Sequence, residues 1–183
     1  MPDRFPDLFL DRLEQQCKRA RVAFDRLNRL VRASPARDTP ELYECVDSLV
    51  SQAGKISRFL FPGRPQKCTG KEHVKDRAAR LRHALAVQED SILKSRTVRD
   101  HLDHFDERLH GRDPTTELVV MGNIGPAGAI SVANPVWLDH FDPATLTVSY
   151  GSDRLDLRKL MDEINRLERN KAAASTSLRP PPP

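Results

Sequence analysis

Several protein classes are excluded by what this sequence has little of. Its 183 residues hold three cysteines, Cys17, Cys45 and Cys68. They are far apart, odd in number and form no CxxC pair, so neither a disulfide framework nor a zinc ribbon is expected. They read as reduced thiols in the core or in loops. No run approaches the roughly 18 apolar residues of a membrane span. The start, MPDRFPDLFLDRLEQQ, lacks the basic opening and apolar centre of a signal peptide. A cytoplasmic protein with no membrane partner is expected. Aromatic residues are 5% of the chain, too few for a base-stacking platform. Eight glycines leave one cluster, MGNIGPAG at 121–128, which has neither GxGxxG nor the Lys-Ser/Thr of a P-loop and reads as turns. No GxSxG elbow is present and no cysteine sits in a nucleophile motif. Nothing calls for a cofactor.

What is present is charge and helical pattern. Charged residues are 31% and hydrophobic residues 38%, a polar chain that still has enough apolar surface to fold as one domain. Lys+Arg is 30 against Asp+Glu 26, and 22 of the 30 are arginine. Arginine suits phosphate and carboxylate recognition through its planar fork; a coding sequence rich in G and C would enrich it as well.

Phe9, Leu13, Cys17, Ala20, Phe24, Leu27 and Val31 recur in steps of three and four, which predicts one long amphipathic helix from Arg4 to about Arg32. Ser34-Pro35 ends it, and Thr39-Pro40 starts a second helix with core face Leu42, Cys45 or Val46, Leu49, Ala53, Ile56 and Leu60. A third is expected over about Lys71–Gln88, and a fourth from Ser91 or Ser95 to Leu109. Past Gly111, short β-branched, glycine-punctuated runs predict two or three strands with a turn at Asp142-Pro143. The expected fold is mainly α: an antiparallel four-helix bundle (5–112), a small β-hairpin insertion (113–154) and a C-terminal helix (155–171), forming a single domain over 1–171. Residues 172–183, with four terminal prolines, are expected to be a disordered tail. Trp137, His140 and Phe141 read as anchors of the strands to the helices.

Five of six histidines (His73, His83, His101, His104 and His110) fall in or just beyond the third and fourth expected helices, with twelve Lys and Arg between Arg64 and Arg112. Histidine titrates near neutrality and arginine neutralises phosphate, a combination suited to cutting RNA without a metal. The densest stretch is Arg96 to Arg108. On a helix, Asp100, His104 and Arg108 lie one turn apart, and Arg99 and Asp103 form a parallel pair. Asp100 can fix and charge the His104 imidazole while Arg99 reaches a phosphate. The same alternation of charge also describes a solvated helix face. His101 and His104 with Asp100 or Asp103 lack further ligands, and no metal site is expected.

Arg99-Asp100-x-x-x-His104, late in a helical bundle, resembles the Arg-x(4–6)-His motif of HEPN-domain proteins. The resemblance implies a metal-independent endoribonuclease leaving 2′,3′-cyclic phosphates, with Arg99 and His104 catalytic and Asp100 the polar neighbour. Arg96, His101 and Arg108 are supporting candidates. It also implies a homodimer acting on RNA, of the kind found in toxins and phage defence, with an antitoxin as partner. The alternative reading is a non-catalytic helical module that binds protein or nucleic acid, and another is a structural dimer paired by its charged helices.

Overall fold

The computed structural model describes residues 5–33, 40–63, 71–95, 119–120, 122–126, 136–137, 139–151 and 153–177. These residues are mainly helical, with a small mixed sheet. In chain order they form α1 (Phe5–Ala33), α2 (Pro40–Leu60), α3 (Lys71–Ala84) and a 3-10 turn (Ile92–Lys94). Then come β1 (Val119–Val120), β2 (Asn123–Ile124), β3 (Val136–Trp137), β4 (His140–Asp142), β5 (Thr147–Tyr150), β6 (Asp153–Asp156) and α4 (Leu157–Ser177).

The apolar stripes dictate the packing. Leu10, Leu13, Cys17, Ala20, Ala23 and Leu27 of α1 are buried, and so is every expected core position of α2 from Leu42 to Leu60. The two helices run antiparallel. Phe9 meets Phe59 edge-on with ring centroids 6.0 Å apart, while Arg26, far along α1, acts on Cys45 near the start of α2. Pro40 opens α2 as expected of a residue with fixed φ and no N–H to satisfy.

The second neighbour of α1 is α4, whose Leu157, Leu160, Ile164 and Leu167 are fully buried. Ion pairs fix their antiparallel register: Lys171 pairs with Asp11 and Glu14, and Arg21 pairs with Glu168 and donates to Asn165. On the other side, α3 contacts α2 and α4. Arg82 donates to the Leu60 carbonyl at 2.5 Å and lies 5.3 Å from the centroid of the Phe61 ring, and Asn170 donates to the Leu85 carbonyl at 2.9 Å.

Helix boundaries differ from expectation where local hydrogen bonds intervene. Instead of reaching Gln88, α3 stops at Ala84. Val87 N–H donates to Arg82 O and Ala86 N–H to His83 O, with Ala86 at φ 50°, the left-handed residue of a Schellman cap. The expected fourth helix opens instead as the 3-10 turn at Ile92–Lys94, and residues 96–109 lie outside the described residues. This turn is tied to α2 by Ser57 Oγ donating to Leu93 O at 2.6 Å and to α4 by Ser91 Oγ donating to Glu163 at 2.8 Å. At the C-terminal helix, Asp153–Asp156 is a strand, so the helix begins at Leu157, where Asp156 Oδ1 accepts from the Arg158 and Lys159 N–H groups. It continues to Ser177, which makes 172–177 helical rather than tail; three successive alanines favour helix, and Ala174 is buried. Residues 178–183 lie outside the described residues.

The strands exceed the expected hairpin. A sheet of order β2-β4-β5-β6 has one parallel pair, β2 with β4, and two antiparallel ones. β1 and β3 pair separately and also in parallel. Val119 faces Val136 and Asn123 faces His140, so both parallel pairs share one register, interrupted where the Asp139 carboxylate accepts the Gly122 N–H at 2.5 Å. Gly122 has φ +61°, which an L side chain rarely adopts. Asp142 turns the chain as expected, accepting from Ala144 N–H at 2.9 Å. Phe141 is buried in the common core and anchors the sheet to the body; His140 is buried beside Asn123 of the neighbouring strand, and Trp137 lies in β3.

Two stability predictions follow from these contacts. Left-handed φ costs a non-glycine residue about 1–2 kcal/mol, so Ala86→Gly should stabilise the fold by about 0.5–1 kcal/mol, read as a raised midpoint in urea. Lys171 and Lys18 hold Glu14 down at about 2 from 4.5. A carboxyl depressed on folding stabilises above its unfolded pKa and loses that contribution as pH falls through the folded one. Glu14→Gln should therefore cost about 1 kcal/mol at pH 7, a surface-pair magnitude. The gap to the parent chain should close as the pH of the melts falls from 4.5 towards 2.

Candidate anion-binding groove

The outer faces of α1 and α2 do not close over one another. Between them lies a groove of about 360 Å³, lined on α1 by Lys18, Arg19, Val22, Ala23 and Arg26, and on α2 by Glu44, Cys45, Ser48 and Gln52. Its residues follow from helical spacing. Arg12, Arg19 and Arg26 recur every seventh position and are all exposed, so they form one row about 10.5 Å apart along the axis. Glu44, Ser48 and Gln52 form a second row in steps of four.

The floor is apolar. Ala23 and Cys45 are buried, whereas Val22 at the mouth is 67% exposed. Burial pushes the Cys45 thiol above its ordinary value although Arg26 opposes it, and Cys17 is pushed up to about 12 by burial. Both therefore remain protonated near neutrality and are poor nucleophiles. Cys68 is outside the described residues.

Charge around the groove is unbalanced. Lys18 is engaged by Glu14 at 2.7 Å. Arg19 and Arg26 have neither an ion pair nor a hydrogen bond among the described residues. Glu44 is the one carboxylate lining the groove against three cations. Gln52 supplies the other polar feature: it is 8% exposed, and its Oε1 is buried without a hydrogen-bond partner. Gln16, on α1, is the other buried glutamine whose Oε1 has no partner, but it does not line the groove. A pair of free guanidinium groups over an apolar floor, beside a hydroxyl and an unsatisfied carboxamide, can hold an anion attached to a flat or apolar body.

A second polar cluster lies where the sheet faces α2. Asn123 Nδ2 lies 3.2 Å from His140 Nδ1, and burial lowers the His140 imidazole below its ordinary value. Desolvation raises the Asp47 carboxyl, as does neighbouring Asp139. The Gly122 and Asn123 bonds of this cluster hold the strands together.

Arg99 and His104, with Asp100, Arg96, His101 and Arg108, lie outside the described residues, and so does His110. His73 and His83 belong to α3, where His83 is exposed. Among the described residues, no group of three or more His, Cys, Asp or Glu is arranged to hold a metal, and no helix is long and apolar enough to cross a membrane. The groove residues were not singled out from sequence. Their available signals are the seven-residue recurrence of arginine and a glutamine seven positions from buried Cys45. Comparison with protein-family models, with curated proteins and with solved structures gives no match.

Proposed function

We propose that the chain is a helical interaction module that binds single-stranded nucleic acid through the α1–α2 groove. The observation that carries this reading is the exposed arginine row with Arg19 and Arg26 unpaired beside the groove. On the α4 side of α1, charges are spent on each other, Arg21 on Glu168 and Lys171 on Asp11 and Glu14, whereas Arg19 and Arg26 are the unpaired arginines that line the groove. Two guanidinium groups held free along one ridge match the repeated charge of a phosphodiester backbone, and each phosphate contact releases counterions.

Binding is measured with an oligodeoxynucleotide, which lacks the 2′-hydroxyl that self-cleavage requires. Affinity should fall with salt. Arg19→Ala/Arg26→Ala should weaken binding roughly tenfold and flatten the log–log salt slope by about 1.4, two single-strand phosphate contacts' worth. An unchanged slope removes the groove from the interface.

A second reading keeps the chemistry suggested by Arg99-Asp100-x-x-x-His104. In it the chain is an endoribonuclease of HEPN type that needs no metal, and the helix expected up to Leu109 completes an antiparallel four-helix bundle. It works in the cytoplasm as a homodimer, with a toxin or phage-defence role and an antitoxin partner. Arg99 stabilises phosphate charge and His104 moves the proton. Purified protein incubated with total RNA in EDTA should then yield fragments ending in cyclic phosphate. Arg99→Ala and His104→Ala should each lose at least a hundredfold in rate, the size of a general acid–base or electrostatic contribution. A full-activity Arg99→Ala or His104→Ala variant overturns the assignment.

A further inference from the structure

We propose that the α1–α2 groove seats one unstacked nucleotide base, with Gln52 reading the base edge while Arg19 and Arg26 hold the flanking phosphates. This rests on the nucleic-acid reading above and adds the recognition of a base to it.

Three observations converge. The groove's volume, about 360 Å³, suits a single small planar group rather than a helix or a duplex. Its floor of Ala23 and Cys45, with Val22 at the mouth, offers the apolar surface on which a base face can lie once it leaves the stack. Gln52 reaches the groove from a position more than nine-tenths buried, and its carbonyl oxygen has no donor in the fold. A buried acceptor left without a donor is destabilising, and a base N–H is a donor of the right kind. Carboxamides recognise bases by this pairing of C=O with N–H and NH2 with a ring nitrogen. The cations on the rim face the strand's phosphates and leave the uncharged floor to the base.

The chemistry is distinct from that of a free anion site. Inorganic phosphate can use Arg19 and Arg26 but leaves Gln52 and the floor empty. A free nucleotide and a nucleotide within a strand share the same contacts, and only the strand gains the second phosphate, because Arg19 and Arg26 are two helical turns apart.

The test compares three probes on the full chain by fluorescence anisotropy and competition: oligodeoxyadenylate, an abasic strand of the same length, and free adenosine monophosphate. The parent protein should bind the base-bearing strand at least fivefold tighter than the abasic one, a preference the size of one hydrogen bond. Adenosine monophosphate should compete, but more weakly than the strand. Gln52→Leu should lose most of that preference while keeping the salt slope. Its thermal midpoint should hold or rise, because the orphaned carbonyl is gone. Ser48→Trp, at an exposed position, fills the groove and should abolish the preference with the fold intact.

Equal binding of base-bearing and abasic strands by the parent protein overturns the base site and leaves the phosphate-binding reading standing. Binding of neither strand overturns both. Full preference in Gln52→Leu removes Gln52 from the reading. A lowered midpoint in that variant shows that its carboxamide serves the fold, and Ser48→Trp then decides whether the groove holds the base. Stronger competition by adenosine monophosphate than by the strand identifies a free nucleotide as the ligand.

Discussion

The structure depends on burial of one face of α1. Leu10, Leu13, Cys17, Ala20 and Leu27 are close to fully buried, and two helices, α2 and α4, contribute to that burial. Helical periodicity then leaves no freedom for the charged residues, since every position between the apolar ones must face outward or sideways. Those at the edge towards α4 meet carboxylates or an asparagine there, as Arg21 does at Glu168 and Asn165. Those at positions 12, 19 and 26 are directed to solvent along one row. The arginine ridge is thus a geometric consequence of the core stripe.

That division of charge gives the two sides of α1 different roles. The α4 side is a register device: Lys171 bridges Asp11 and Glu14, and Glu14 also holds Lys18. Pairs of this kind contribute little energy individually, about 0–1 kcal/mol, but they distinguish one helical register from the next. The α2 side is closed by apolar contact and by Phe9, which also receives the Arg77 guanidinium 4.0 Å from its ring centroid. Because α2 brings glutamine and serine rather than carboxylates to most of the groove rim, Arg19 gains no ionic partner there. The proposed anion site lies where the fold leaves its own cations without partners.

The long elements were legible in the sequence because each repeats its pattern many times. The core stripes of α2 and α4 agree with burial position by position; that of α1 agrees at Leu13, Cys17, Ala20 and Leu27, while Phe9, Phe24 and Val31 are half-buried and Leu10 and Ala23 join the core instead. Boundaries were less legible, since they rest on single contacts such as the Ala86 cap, where a left-handed alanine stands in for the usual glycine, or the Asp156 carboxylate on the first turn of α4. The strands were partly legible. A two-residue strand such as Val119–Val120 cannot show alternation, and its parallel partner Val136–Trp137 is set by register with a segment distant in sequence rather than by local sequence. Candidate chemistry divided the same way: Arg99 and His104 were visible as a local motif. The groove needs Arg19 and Gln52, distant in sequence, to be brought beside one another.

Gln52 bears most directly on what this arrangement is for. A fold optimised only for stability would place leucine at such a position, because an unsatisfied buried polar group costs about 1–3 kcal/mol where an apolar isostere costs nothing. α2 accepts leucine readily at Leu49 and isoleucine at Ile56, on either side. Polar groups nearby in the core are bonded, Ser57 to Leu93 O and Ser91 to Glu163, whereas Gln16 Oε1 on α1 shares the orphaned state of Gln52. What sets Gln52 apart from Gln16 is its place: its unused acceptor lies at the wall of a cation-rimmed groove. Proteins tolerate such an open acceptor where a ligand completes the bonding, since the ligand then gains both the phosphate contacts and the hydrogen bond the fold left open.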